Sequence, residues 1–96
     1  MATLVILEVR AKEGALPEVK EFLAKNLPDT RGYDGCLELT PYLNEDGRTV
    51  VIVEKWVSKP HYEQYLAWRQ ETGALADFGK LTEAEPNIRY FEAIDA

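Results

Sequence analysis

Apolar and polar positions alternate in four stretches of this chain and follow a helical period in two longer ones. Thr3 to Ala11 alternates, with Val5, Leu7 and Val9 on one side and Leu4, Ile6, Glu8 and Arg10 on the other, which predicts a strand. Lys12-Glu13-Gly14 then turns the chain. From Ala15 to about Leu27 the apolar residues Leu16, Val19, Phe22, Leu23 and Leu27 recur at helical spacing, and Pro17 falls in the first turn, where its missing N–H costs nothing. Pro28 ends or kinks this helix, and Asp29 to Arg31 add at most a further turn. Cys36 to Leu43 is a second strand, with Leu37, Leu39 and Leu43 on one face and Cys36, Glu38, Thr40 and Tyr42 on the other. Pro41 cannot donate to a ladder and marks that strand as an edge. Asn44-Glu45-Asp46-Gly47 reads as a hairpin turn leading into the Val-rich strand Arg48 to Val57. Ser58 caps the next helix, Pro60 sits in its first turn, and Gly73 stops it after about Thr72. A short helical piece follows through Leu75, Ala76, Phe78 and Leu81, and Asn87 to Ile94 is the last strand.

The order β-α-β-β-α-β folds as two split βαβ units. It gives an α+β, ferredoxin-like domain with a four-stranded antiparallel sheet, strand order 4-1-3-2, and helices on one face. The pattern places Leu4, Ile6, Ile52, Trp56, Ile88 and Tyr90 together on the mixed face. An apolar sheet surface of that size needs a cover, and a second copy of the chain, in an isologous two-fold homodimer, is the simplest one.

At 96 residues the chain reads as one domain, 1–96, with 46% hydrophobic and 29% charged residues, as in ordinary soluble globular proteins. A net charge of −6 argues against nucleic acid and against anionic membrane surfaces as partners. Neither a membrane-length apolar run nor a signal peptide is evident, and the single cysteine, Cys36, fits a reducing, cytoplasmic setting as a buried small side chain. There is no phosphate-cradling Gly-rich loop, no Ser-His-Asp set and no cluster at metal-ligand spacing.

Candidate chemistry concentrates between Arg48 and Gly73, where a strand delivers Trp56 to an aromatic-rich helix. On that helix Tyr62, Tyr65, Leu66 and Arg69 share one face, while His61, Tyr65, Trp68 and Thr72 share the next. Only one of the two stripes can point squarely at the sheet. His61, the only histidine, is a candidate general base, with a capping or solvent-facing role as the plain alternative. Tyr62 and Tyr65 carry hydroxyls that could pair with a phenolic ligand, and Trp56, Trp68, Arg69 and Tyr90 are candidate walls and anchors of a binding site. Glu8 and Glu54 are expected within reach of Arg10 or Arg89, as cross-strand ion pairs. In the alternative, a buried carboxylate of raised pKa serves as a base.

Leu7-Glu8-Val9-Arg10 before Gly14, Gly35-Cys36 opening the second strand, and above all Val53-Glu54-Lys55-Trp56-Val57-Ser58 before Tyr62 and Tyr65 resemble the antibiotic biosynthesis monooxygenase family. These small dimeric α+β barrel proteins include the quinol monooxygenases. The resemblance spans essentially the whole chain. It implies two subunits sharing a barrel, and in each a pocket between helices and sheet. It also implies oxygenation of phenolic molecules by O₂ without metal or flavin. The protein then binds a planar ring, takes a proton and stabilises an oxyanion. Many members carry a histidine nine residues after this tryptophan, where the chain has Tyr65. A polar position four residues before it in one polyketide-oxygenating branch is Ile52. Haem-degrading relatives use an Asn on the first strand, and this strand has none.

The leading expectation is therefore a cofactor-independent monooxygenase acting on a quinol-like or polycyclic phenol. Trp56, Tyr62, Tyr65 and His61 would form its pocket, with His61 or a tyrosine assisting deprotonation. A non-catalytic dimeric module holding a small aromatic ligand is the alternative. An RNA-recognition sheet has the same topology but needs a basic face that this chain lacks.

Overall fold

The computed structural model describes residues 2–96. The chain runs β1 (Thr3–Arg10), α1 (Leu16–Arg31), β2 (Cys36–Leu43), β3 (Thr49–Trp56), α2 (Lys59–Glu71), α3 (Ala74–Gly79) and β4 (Asn87–Glu92). The four strands form one antiparallel sheet in the order β2-β3-β1-β4, the expected ferredoxin-like α+β arrangement. β2 lies at the edge, where Pro41 pairs on one side only. The β2–β3 hairpin is set by Asp46, whose Oδ1 accepts from the Arg48 and Thr49 amides at 2.8 Å each, with Gly47 at φ 73° completing the turn.

Three local expectations are corrected or decided. Of the two outcomes open at Pro28, α1 takes the further turn and continues through Pro28 to Arg31. Pro28 removes a single helical hydrogen bond on an exposed side, while Leu27 and Thr30, 7% and 1% exposed, hold the last turn to the core. In β2 a bulge between Cys36 and Glu38 breaks the alternation. Leu39 is buried, but Leu37 is exposed because the extra residue rotates it away from the helices, and Leu43, opposite Val50, is exposed at the strand's end.

The third correction concerns the faces of the sheet. Directly opposed residues share a face. Thr3 pairs with Trp56, Val5 with Glu54 and Tyr90, and Leu7 with Ile52 and Ile88. Ile52, Glu54, Trp56, Ile88 and Tyr90 therefore lie with Val5, Leu7 and Val9 under the helices, not with Leu4 and Ile6. Alternation within each strand was legible, but the register between strands decides which alternating sets meet. The open face carries half-buried Leu4, Ile6, Val51 and Val53, exposed Phe91, and the ion pairs Glu8–Arg89 (3.6 Å) and Lys55–Glu38 (3.4 Å). Glu8 thus meets Arg89 as expected, whereas Glu54 is on the opposite face and has no ion pair among the described residues.

Beneath the helices the buried side chains divide into two clusters. One is aliphatic, built from Leu7, Val9, Val19, Leu23, Leu27, Val50 and Ile52 with Phe78 of α3. The other is aromatic, built from Val5, Trp56, Tyr62 and Tyr65, with Tyr33, Trp68 and Tyr90 against it.

Candidate functional site

The aromatic cluster is assembled by the β3–α2 junction. Ser58 is extended at φ −160° and caps α2: its Oγ accepts the His61 amide at 3.3 Å and lies 2.6 Å from His61 Nδ1. The imidazole packs on Gly35, whose φ of +94° and position, where a Cβ would come within 2.6 Å of His61 Cβ, both require glycine. His61 thus ties the start of α2 to the loop before β2, and its ring is engaged by the cap.

From that start, Tyr62, Tyr65 and Arg69 are the buried residues of α2, so the stripe running through Leu66 to Arg69 is the one that faces the sheet. Trp68 is half-buried at the flank and stacks on Tyr33 at 5.2 Å. Trp56 has no exposed surface and is surrounded by Tyr65 (5.1 Å), Tyr62 (5.4 Å) and Tyr33 (6.3 Å). Tyr90 meets Tyr62 edge-on at 5.9 Å.

Polar groups are set into this cluster. Glu54 is 3% exposed, and its Oε1 accepts the Trp56 indole N–H at 3.0 Å. Burial pushes the carboxyl up to about 7, against the opposing pull of the indole donor. Tyr62 has a buried hydroxyl with no hydrogen-bond partner among the described residues. Its burial, and secondarily the Glu54 charge, raise the phenol above its ordinary value. Tyr65 is engaged: its hydroxyl lies 2.7 Å from Thr30 Oγ1 and accepts from Arg69 Nε at 3.0 Å. Arg69 Nη2 donates further to the Asn26 carbonyl (2.7 Å) and Thr30 Oγ1 (2.9 Å), pinning α2 to α1. Cys36, half-buried beside the cluster, has its thiol pushed up by burial, which does not favour a thiolate nucleophile.

A cavity of about 60 Å³ lies under α1, α2 and α3, with Glu54, Tyr62, Tyr65, Leu66 and Arg69 in its wall. It offers room for water-sized groups, not for a ring system. Outside it an open groove of about 390 Å³ is lined by Lys25, Asp29, Trp68 and Thr72 among others. The two spaces share Phe22, Asn26, Arg69 and Ala74 as a partition.

Of the residues singled out from sequence, Tyr62, Tyr65 and Arg69 reach the cavity, and Trp68 and Arg69 reach the groove. Trp56 stands behind the wall as the donor to Glu54, Tyr90 lies beyond Tyr62, and His61 is apart from both spaces. Tyr33, Asn26 and Thr30 carry no signal in the sequence of a place at this site. Tyr33 sits in a loop without periodicity, and the other two look like ordinary helix positions. Glu54 was visible only as an alternative. Its signal was a carboxylate on an otherwise apolar strand, two residues before Trp56.

No helix among the described residues is long and apolar enough to cross a membrane. No group of three or more His, Cys, Asp or Glu is gathered there as a metal ion would require.

A family model described as antibiotic biosynthesis monooxygenase matches residues 3–76. No curated protein matches the sequence. Among solved structures, Rv0793 from Mycobacterium tuberculosis superposes with a TM-score of 0.86 at 20% identity, covering 100% of this chain and 98% of that one. A Deinococcus radiodurans protein assigned to the same family gives 0.82 at 21% identity, over 98% and 94% of the two chains. The Streptomyces coelicolor monooxygenase from the gene ActVA-Orf6, solved in complex with the ligand nanaomycin D, gives 0.81 at 16% identity, over 99% and 89%. At these identities the likeness is one of fold.

Proposed function

Because the chain belongs to the antibiotic biosynthesis monooxygenase family, we propose that it oxidises a small phenolic molecule with O₂ at the Glu54–Tyr62 cavity. The observation that carries this reading is a buried carboxyl poised near neutrality, at about 7, in the wall of the same cavity as an unpaired phenol. A general base works best when its pKa lies near the operating pH. Glu54 takes the substrate's phenolic proton, and Trp56 Nε1 holds the carboxylate in place. The phenolate passes an electron to O₂, and the resulting radical pair joins to a ring peroxide anion, which takes the proton back from Glu54 to become a hydroperoxide. Loss of water from it leaves a quinone, so one oxygen atom enters the ring and the other departs as water. Tyr62 supplies a hydrogen bond to the substrate oxygen. Tyr65, tied to Thr30 and Arg69, positions its neighbours, and His61 holds the helix start. A ring enters when the partition between cavity and groove yields. The open face, with Leu4, Ile6, Val51, Val53 and Phe91, joins a second copy of the chain in a homodimer.

Oxygen uptake with a panel of substituted hydroquinones and naphthols, measured on the fraction sedimenting at twice the mass of one chain, tests the proposal. Glu54→Gln should lower kcat about 10²- to 10⁴-fold, the range for losing a general base. A monomer, or uptake indifferent to Glu54→Gln, overturns the assignment. The open groove of about 390 Å³, bordered by Trp68 and lying outside the Glu54 cavity, favours one second reading, a binding module without turnover. Its mark is thermal stabilisation by the same phenols with no oxygen consumed.

A further inference from the structure

We infer that Arg69 is an anchor for an acidic group, so that the molecule bound at this site is an aromatic anion, a ring bearing a carboxylate, rather than a neutral phenol. The inference rests on the site proposed above and narrows its ligand class. Arg69 is 6% exposed. Its three hydrogen bonds go to neutral oxygens, those of Asn26, Thr30 and Tyr65, and it has no carboxylate partner among the described residues. Arg10, Arg48 and Arg89, whose side chains are 53%, 28% and 47% exposed, each have a glutamate partner. The chain has 17 acidic residues against 11 basic ones, so carboxylates are plentiful, yet none is placed on its most buried arginine. A buried cation without a counter-ion is costly unless a ligand supplies the charge.

The geometry leaves a place for that charge. The hydrogen bonds occupy Nε–H and Nη2, which leaves the N–H groups of Nη1 without a protein acceptor among the described residues. The side chain belongs to the partition and so borders both the cavity and the groove. Phe22 and Trp68 give the groove aromatic surface for a planar ring, and the guanidinium already lies 4.6 Å from the Trp68 ring. The groove's other charges are Lys25, Asp29 and Asp77. Asp77 is paired with Lys80 at 3.7 Å, and among the described residues neither Asp29 nor Asp77 comes within ion-pair distance of Arg69.

Calorimetric titration of the full chain at pH 8 with 4-hydroxybenzoate and with 4-hydroxybenzamide, matched in ring and size but not in charge, tests this under anaerobic conditions. The carboxylate should bind at least ten-fold more tightly, and added salt should narrow the gap. Arg69→Gln should abolish the preference, and Arg69→Lys should keep part of it. Should loss of the α1–α2 tie unfold the variants, the wild-type comparison decides alone. Equal affinity for the two ligands, binding of neither, or a preference that survives in folded Arg69→Gln overturns the inference. The two readings fail separately. Tight benzoate binding with no oxygen uptake from any phenol leaves the anion site and removes the oxygenase. Uptake from neutral hydroquinones without preference for the acid does the reverse.

Discussion

Under one helical layer this molecule has two cores. The aliphatic one, around Val9, Val19, Leu27 and Val50, is made of side chains with no polar atom to satisfy. The aromatic one, around Trp56, Tyr62 and Tyr65, is threaded with a carboxyl, a guanidinium and an unpaired phenol. Each buried polar group without a partner costs about 1–3 kcal/mol, so a chain shaped for stability alone would have carried the aliphatic pattern across. The contrast separates a core that needs no polar partner from one that carries the candidate site. On the proposed reading, the aliphatic end serves stability and the aromatic end gives up some of it for a site.

The strongest way to break the comparison is to truncate one anchor in each core. Trp56→Ala should cost about 3–5 kcal/mol and abolish oxygen uptake, since it empties the cluster and strips Glu54 of its donor. Val19→Ala should cost about 2 kcal/mol yet leave uptake per folded molecule unchanged. Urea midpoints and uptake measured together decide it. The division fails if Val19→Ala silences the protein while Trp56→Ala spares it.

Glu54 sharpens the contrast through pH. Its folded value is about 7 against an ordinary 4.5, so the folded state holds this proton more tightly than the unfolded chain. That advantage is complete below about pH 4.5 and is lost as pH rises through 7, a swing of about 3 kcal/mol. Glu54→Gln should match the wild type near pH 5 and be the more stable protein at pH 8. Parallel stability curves would show that burial does not hold the proton. Activity should run the other way in the wild type, rising as the base ionises through pH 7.

The smallest effect belongs to Tyr62. Removing an unsatisfied hydroxyl by Tyr62→Phe should leave stability unchanged or raise it by about 1 kcal/mol, while lowering turnover. A clear loss of stability in thermal melts would mean that the hydroxyl has a partner in solution and is not held open for a ligand.

Much of this was legible along the chain. The Ser58 cap, Pro60 and Gly73 bounded α2, the Pro41 edge gave β2 its place, and Glu54-Lys55-Trp56 pointed to the family. The gaps have physical causes. Pro28 leaves open a stop or a further turn, and Leu27 and Thr30 decide it by anchoring the turn around it. Tyr33 carries no periodicity because a loop positions it. Two of the three partners of Arg69 come from α1, 39 and 43 positions away, and no local pattern announces them.

What the sequence determined by itself is the set of elements and their order, because periodicity, caps and turn residues act over a few neighbouring positions. The tertiary structure alone decided which face of each strand meets the helices, and so that Glu54 and Trp56 lie beneath Tyr62 rather than on the open side. Register couples residues that are distant in the chain, and a shift of one position exchanges the two faces.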